Sequence, residues 1–193
     1  MLKNKFSFFS EKIADIFIKI DIEPNLLTLS SIPFSIISAY LTYTKNNLAI
    51  LFVLFTFFLD AIDGAIARKK NKITKYGAYL DGMCDRVAEF FILLPFLLFE
   101  KTALPALIIL FFGSFMHAFS KAYCDHRKLM SSQKASKLST IFGRVERGIL
   151  LIFIISLYVL NIEVYILLLW IGAILSFIAF LNLQLKIAKY GKI

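Results

Sequence analysis

The stretch that decides the fold is residues 60–85, DAIDGAIARKKNKITKYGAYLDGMCD. It joins two strongly apolar segments and carries four aspartates: Asp60, Asp63, Asp81 and Asp85. The spacing is three residues in the first pair and four in the second, so each pair lies on one face of its helix. Because the lysine-rich connection between the pairs is short, we expect two antiparallel neighbouring helices whose carboxylates converge.

The composition on either side of this stretch is typical of a membrane protein. Of the 193 residues, 59% are hydrophobic and only 18% are charged, whereas a soluble domain has about a quarter charged residues. A membrane span needs roughly 20 apolar residues, and backbone groups in lipid must pair within a helix. We therefore predict an all-α membrane protein with six transmembrane helices, at about 27–44, 48–67, 78–99, 103–124, 143–161 and 163–185.

The segment before the first span has a different pattern. Its apolar residues recur at spacings of three and four, with charged residues between them, which is typical of an amphipathic helix lying in the membrane interface. An ordinary core-facing helix is the alternative, but the chain offers little soluble core for it to face. We predict one domain over residues 1–193, with an interfacial helix at 1–23 and a six-helix bundle at 24–193.

The basic residues predict the orientation in the membrane. Only Lys45 and Lys101 fall in the connections assigned to the outside, and the other 20 of the 22 lysines and arginines fall on the opposite side or at the inner helix ends. This asymmetry follows the positive-inside rule. It predicts a multi-pass protein of the cell membrane whose termini and carboxylates face the cytoplasm. Anionic lipid headgroups and a phosphorylated substrate account for the net charge of +9, so no nucleic-acid partner is expected.

Four carboxylates close to hydrocarbon repel one another and lose hydration that is worth several kcal/mol per ion. Either some take up protons or a cation neutralises them. Oxygen ligands without His or Cys favour Mg²⁺ or Mn²⁺, and four carboxylates can hold two such ions about 3.5–4 Å apart. Gly64 allows a close approach of backbone or phosphate, and Gly77 opens the third helix at a close crossing. Arg68 can offer a fork of donors to a phosphate. The alternative is a solvated helix end beside a lysine-rich loop.

The spacing of these residues resembles a known signature, that of the CDP-alcohol phosphotransferase family. The matching string is Asp60-x-x-Asp63-Gly64-x-x-Ala67-Arg68, eight residues, Gly77-x-x-x-Asp81-x-x-x-Asp85. The resemblance extends to the six spans, the interfacial helix and the segment PNLLT at 24–28.

The resemblance implies an enzyme that transfers a lipid phosphate from a CDP-lipid to an alcohol and releases CMP. It implies that Asp60, Asp63, Asp81 and Asp85 hold two Mg²⁺ ions, with Mn²⁺ as a possible substitute. Asp85 would also be the catalytic base for the acceptor hydroxyl. The residues implied to bind the CDP-lipid are Asn25, Leu26, Leu27, Thr28, Gly64, Arg68, Thr74 and Gly77. Relatives of this kind are commonly homodimers.

The acceptor is predicted from a narrower resemblance. Arg86 directly after the last motif aspartate is similar to the branch of phosphatidylinositol-phosphate and archaetidylinositol-phosphate synthases, which implies inositol 1-phosphate as acceptor. Lys121, Arg144 and Arg147 match the basic residues implied to bind the acceptor phosphate, although anchoring to headgroups would also account for them.

Two departures weaken this assignment, because Tyr123 and Leu185 stand where that branch has basic residues. Glycerol 3-phosphate or another alcohol therefore stays open as the acceptor, and the lipid tails, acyl or isoprenoid, stay open as well.

Two other classes of function are weighed against the transferase. A divalent-cation transporter would need polar residues across the membrane, yet both helices are uniformly apolar beyond the cluster. An inactive scaffold would be expected to have lost a motif aspartate, and all four are present.

Overall fold

The computed structural model describes residues 17–18, 21–131, 134–135, 138 and 141–190. Within these ranges the chain forms six α-helices and one 3₁₀ turn at Lys101–Ala103, and no strand. The helices are α1 (Pro24–Tyr43), α2 (Leu48–Lys69), α3 (Lys75–Phe99), α4 (Leu104–His126), α5 (Arg144–Val159) and α6 (Val164–Tyr190). The all-α prediction is confirmed, while the predicted interfacial helix at 1–23 lies almost entirely outside the described residues.

Four of these helical segments are long and apolar enough to cross a membrane. They are α1, α2, the segment Lys101–His126 that contains α4, and α6. The helix α3 carries Asp81 and Asp85 together with Arg86 and Glu89, and it is not among the four. The 16 residues of α5 extend about 24 Å, which is shorter than the roughly 30 Å of a hydrocarbon core.

The chain divides into two compact units, Met1–Ile92 and Leu93–Ile193. In the first unit, α1 packs along α2 through a buried row of small polar residues. Small side chains allow two helix backbones to approach closely, and Ser38 donates a hydrogen bond across the interface to the carbonyl oxygen of Ala49 at 3.4 Å. The row consists of Thr28, Ser31, Ser35, Ser38 and Thr42.

A lysine at the end of α2 connects that end to the start of α1. The ammonium group of Lys70 donates to Asp21 Oδ1 at 2.7 Å and to the Ile22 carbonyl oxygen at 3.2 Å. This hydrogen bond, together with the charge of Lys70, lowers the pKa of Asp21. Next to this connection, a small core is formed by Leu27, Leu59, Ile62, Ala65 and Ile66.

The second unit is built around α6, which packs against α4 and α5. Gly113 of α4 allows a close approach of α6, because a Cβ atom at this position would lie 2.8 Å from the backbone carbon of Ser176. Three aromatic rings pack together where α3 and α5 end and α6 begins. Tyr158 lies 4.8 Å from Phe96 and 5.1 Å from Tyr165, measured between ring centroids.

Candidate active site

Three carboxylates converge where α2 and α3 lie side by side. Asp60 and Asp63 belong to α2 and Asp81 to α3, and one oxygen from each lies within 4.8 Å of the others. Asp63 is the most buried of the three, with 5% exposure, and the other two are half-buried. The structure thus brings together three of the four aspartates that the sequence pairs by helical spacing.

This group of ligand atoms suits a hard divalent cation. All three groups offer carboxylate oxygens, the ligands that Mg²⁺ and Mn²⁺ prefer. Three negative charges this close, one of them buried, are costly without a counter-charge. The donor set and its charge therefore fit a metal site, and it is the one group of three or more potential metal ligands found in the described part of the chain.

Asp85 is outside this group of three. It lies one helical turn beyond Asp81 on α3 and is half-buried, and its Oδ2 is 3.9 Å from Nη2 of Arg86. The guanidinium of Arg86 also contacts Glu89, with Nη1 at 2.7 Å from Oε2. Glu89 is 6% exposed and was not singled out from the sequence, although its i,i+3 spacing from Arg86 is a signal for such a pair.

The first helix also reaches the cluster. Thr28, on the buried face of α1, donates a hydrogen bond from Oγ1 to Oδ2 of Asp63. Leu27 packs in the core described above, whereas Leu26 is exposed. Of the segment Asn25 to Thr28, it is therefore the threonine that contacts the carboxylate cluster.

Asn25, Thr74 and Gly77 lie close together at the start of α3. A Cβ atom on Gly77 would be 3.1 Å from Thr74 Oγ1 and 3.4 Å from Asn25 Oδ1. Thr74 caps the helix, since its hydroxyl oxygen accepts a hydrogen bond of 2.9 Å from the Gly77 N–H, as N-cap residues do. Three residues implied to bind the CDP-lipid thus form one polar cluster between α1 and α3.

Gly64 and Arg68 form the other part of the implied CDP-lipid site. A Cβ atom on Gly64 would lie 3.4 Å from Nη1 of Arg68, so the guanidinium folds back over the glycine. Arg68 is exposed and sits in the last turn of α2, where its donors can reach a phosphate group.

The three residues implied to bind the acceptor lie in the second unit. Lys121, near the end of α4, donates a hydrogen bond of 3.2 Å to the carbonyl oxygen of Leu138. Arg144 is the first residue of α5, and Arg147 lies one turn later with 5% exposure. The start of α5 is stabilised by Glu146, whose Oε2 accepts from the Gly143 N–H at 3.0 Å.

Comparison with known proteins agrees with the motif. The model of the CDP-alcohol phosphatidyltransferase family matches residues 22–178. The archaetidylinositol phosphate synthase of Pyrococcus horikoshii is 31% identical over 176 residues, which cover 89% of this chain and 87% of that protein. The CDP-diacylglycerol–glycerol-3-phosphate 3-phosphatidyltransferase of Aquifex aeolicus is 41% identical over 86 residues, or 44% of this chain and 48% of that protein.

Solved structures share the fold. The Mycobacterium tuberculosis phosphatidylinositol phosphate synthase with CDP-DAG bound superposes with a TM-score of 0.75 at 21% identity, covering 92% of each chain. The same synthase in complex with manganese and citrate gives a TM-score of 0.78 at 20% identity, covering 93% of this chain and 88% of that one. With the family model matching most of its length, this chain belongs to the CDP-alcohol phosphatidyltransferase family of membrane transferases.

Proposed function

We propose that this enzyme transfers a lipid phosphate from CDP-diacylglycerol or CDP-archaeol to inositol 1-phosphate and releases CMP. The observation that carries the proposal is the approach of Asp60, Asp63 and Asp81 to within 4.8 Å of one another. Support for the acceptor comes from the archaetidylinositol phosphate synthase, which is similar along most of both chains.

The three converging aspartates, with Asp85 one turn further along α3, are the residues that would hold divalent metal. We propose two Mg²⁺ ions, with Mn²⁺ as a substitute, since the donors are all carboxylate oxygens. When bound, such ions neutralise the charge of the diphosphate and make CMP a better leaving group.

The residues around this cluster would bind and orient the CDP-lipid. Arg68 offers charge-assisted hydrogen bonds to the diphosphate, and Gly64 keeps the surface beneath the guanidinium open. Thr74 accepts a hydrogen bond from Gly77 through its oxygen, so its own hydrogen is free to be donated to a ligand. Asn25, which lies next to both residues, adds an amide that can donate and accept.

Asp85 would act as the general base. Its carboxylate takes the proton from the acceptor hydroxyl as that oxygen bonds to the lipid-bearing phosphorus, and the bond from this phosphorus to the CMP oxygen breaks. A carboxylate is a weak base for an alcohol, so most of the activation must come from charge stabilisation of the phosphoryl group. The Asp85 carboxylate is half-buried, and its Oδ2 lies 3.9 Å from Nη2 of Arg86.

The acceptor phosphate would be bound by Lys121, Arg144 and Arg147. A substrate that already carries a phosphate needs cations to approach a charged diphosphate. Of these candidates, Arg147 is nearly buried in the first turn of α5, with 5% exposure.

Glycerol 3-phosphate is the alternative acceptor. The glycerol-3-phosphate 3-phosphatidyltransferase of Aquifex aeolicus is 41% identical over its matched 86 residues. Tyr123 and Leu185 also replace basic residues expected for an inositol-phosphate enzyme.

The arrangement in the membrane is part of the same proposal. We infer that α3 and α5 complete six spans, that the whole chain is one domain with an interfacial N-terminal helix, and that the active site faces the cytoplasm at the cell membrane. The family model supports the single domain, since it matches residues 22–178. We also propose that the enzyme is a homodimer, as the resemblance to the CDP-alcohol phosphotransferase family implies.

An acceptor panel tests this function. Purified enzyme with Mg²⁺ and a CDP-lipid is offered inositol 1-phosphate, glycerol 3-phosphate, serine or free inositol, and CMP release is measured. We expect the fastest release with inositol 1-phosphate, and none with any acceptor for Asp85→Asn, whose folding is checked by its melting profile. Faster release with another acceptor would replace the proposed substrate, and normal turnover by Asp85→Asn would exclude Asp85 as the base.

A further inference from the structure

The hydroxyl group of Thr28 is directed at a carboxylate rather than into open space. Thr28 has 5% exposure and donates from Oγ1 to Oδ2 of Asp63, a residue 35 positions further along the chain. The carbonyl oxygen of Pro24, one turn earlier on α1, is a second acceptor for this hydroxyl at 3.1 Å. Asp63 in turn is the most buried member of the carboxylate cluster.

This contact restrains Asp63 from a second helix, because Thr28 belongs to α1. Rotation of a carboxylate about its last side-chain bond is only weakly restricted, so a hydrogen bond to one oxygen holds the plane of the group. With Oδ2 bonded to Thr28, Oδ1 can serve as the metal ligand. Groups that bond to metal ligands in this manner orient them, and losing one typically costs 10–100-fold in metal affinity or activity.

We propose that Thr28 is a positioning residue of the metal site, which acts by orienting Asp63 and does not itself contact the CDP-lipid. The inference rests on the proposed metal site and changes one part of it, since the family resemblance places Thr28 among the CDP-lipid contacts. The two roles predict different measurements. A positioning residue affects metal binding in the absence of nucleotide, whereas a substrate contact affects the Michaelis constant for the CDP-lipid.

The chain offers two matched comparisons. Thr28→Val keeps the branched shape and removes the hydroxyl, and Thr28→Ser keeps the hydroxyl. Thr42→Val is the control: it makes the same change on the same buried face of α1, at a hydroxyl with no hydrogen-bond partner among the described residues. If Thr28→Val does not fold, Thr28→Ala and Thr28→Ser form a second pair that differs only by the hydroxyl.

The experiment measures Mn²⁺ binding to the full chain in detergent without nucleotide, by electron paramagnetic resonance of the free ion and by calorimetry. We expect Thr28→Val and Thr28→Ala to bind Mn²⁺ about 10–100-fold more weakly, and Thr28→Ser and Thr42→Val to bind like the unsubstituted enzyme. At saturating metal, the KM for the CDP-lipid should be unchanged in Thr28→Val, because a residue that makes no contact with the substrate removes no substrate binding.

Unchanged Mn²⁺ affinity in the variants that lack the hydroxyl would overturn the inference, and so would a raised KM for the CDP-lipid at saturating metal. A failure of the proposed function can be distinguished from a failure of this inference. In that case the unsubstituted enzyme itself would bind no Mn²⁺ or release no CMP. Asp60→Asn in the same assay shows how large the loss is when a ligand itself is removed.

Discussion

At the scale of single residues, the two glycines near the carboxylates differ in what surrounds them. A Cβ atom on Gly82 would meet nothing within 4 Å, and one on Gly64 would meet only the Arg68 guanidinium at 3.4 Å. Both glycines lie inside helices, where alanine is favoured by about 1 kcal/mol. The fold therefore requires glycine at neither position, and any need for Gly64 must come from a ligand that approaches it.

We expect Gly64→Ala to melt at the same temperature as the unsubstituted enzyme or slightly higher. Its KM for the CDP-lipid should rise by about tenfold or more, which corresponds to one charge-assisted hydrogen bond lost from Arg68. Gly82→Ala is the control and should leave this KM unchanged. An equal KM for Gly64→Ala and the unsubstituted enzyme would contradict the proposed phosphate contact.

At the scale of helices, α4 and α6 pack closely at a glycine. A Cβ atom on Gly113 would be 2.8 Å from the backbone carbon of Ser176 and 3.0 Å from the nitrogen of Phe177. At Gly172 the nearest atoms are instead the ends of two leucine side chains, Leu150 Cδ2 at 2.6 Å and Leu110 Cδ1 at 2.8 Å. A side-chain end can rotate away, whereas a helix backbone moves only with its whole element.

Gly113→Ala is therefore expected to lower the free energy of unfolding by about 1–3 kcal/mol, the usual cost of overpacking. Gly172→Ala makes the same change against movable side chains and should cost less. Unfolding of both variants in mixed micelles with increasing denaturing detergent measures the difference. A larger loss for Gly172→Ala would show that the α4–α6 contact is looser than the structure has it.

At the scale of the whole molecule, the distribution of charge predicts the topology. Of the 22 lysines and arginines, only Lys45 and Lys101 lie in connections assigned to the outside. Asn47, just before α2, and Lys72, between α2 and α3, are both exposed and lie at opposite ends of α2. They therefore report the two sides of the membrane.

In intact cells, a membrane-impermeant maleimide should label Asn47→Cys and should label Lys72→Cys only after the cells are opened. The unsubstituted chain is the control, because Cys84 and Cys124 are both buried and should react slowly on either side. The reverse labelling pattern would place the carboxylate cluster outside the cell and exclude a cytoplasmic active site.

Several observed helices begin within a few residues of the spans expected from the sequence, because residues next to the helix end set its position. The third span was expected from about residue 78, and α3 begins at Lys75 because Thr74 caps it. The fifth was expected from about 143, and α5 begins at Arg144 because Glu146 bonds back to the Gly143 N–H. Caps depend on a few neighbouring residues, so such ends follow from the local sequence, although they are easily misplaced by a few positions.

The sequence alone determined the all-helical class, the apolar segments and the family, since hydropathy, i,i+3 and i,i+4 spacings and a short motif are all properties of neighbouring residues. Only the tertiary structure decided which motif residues meet. It brings three aspartates together and leaves Asp85 outside their group, and it directs Thr28 at Asp63 across 35 positions of chain. Such contacts depend on how one helix is rotated and shifted against another, and that is set by the packing of many side chains along both helices.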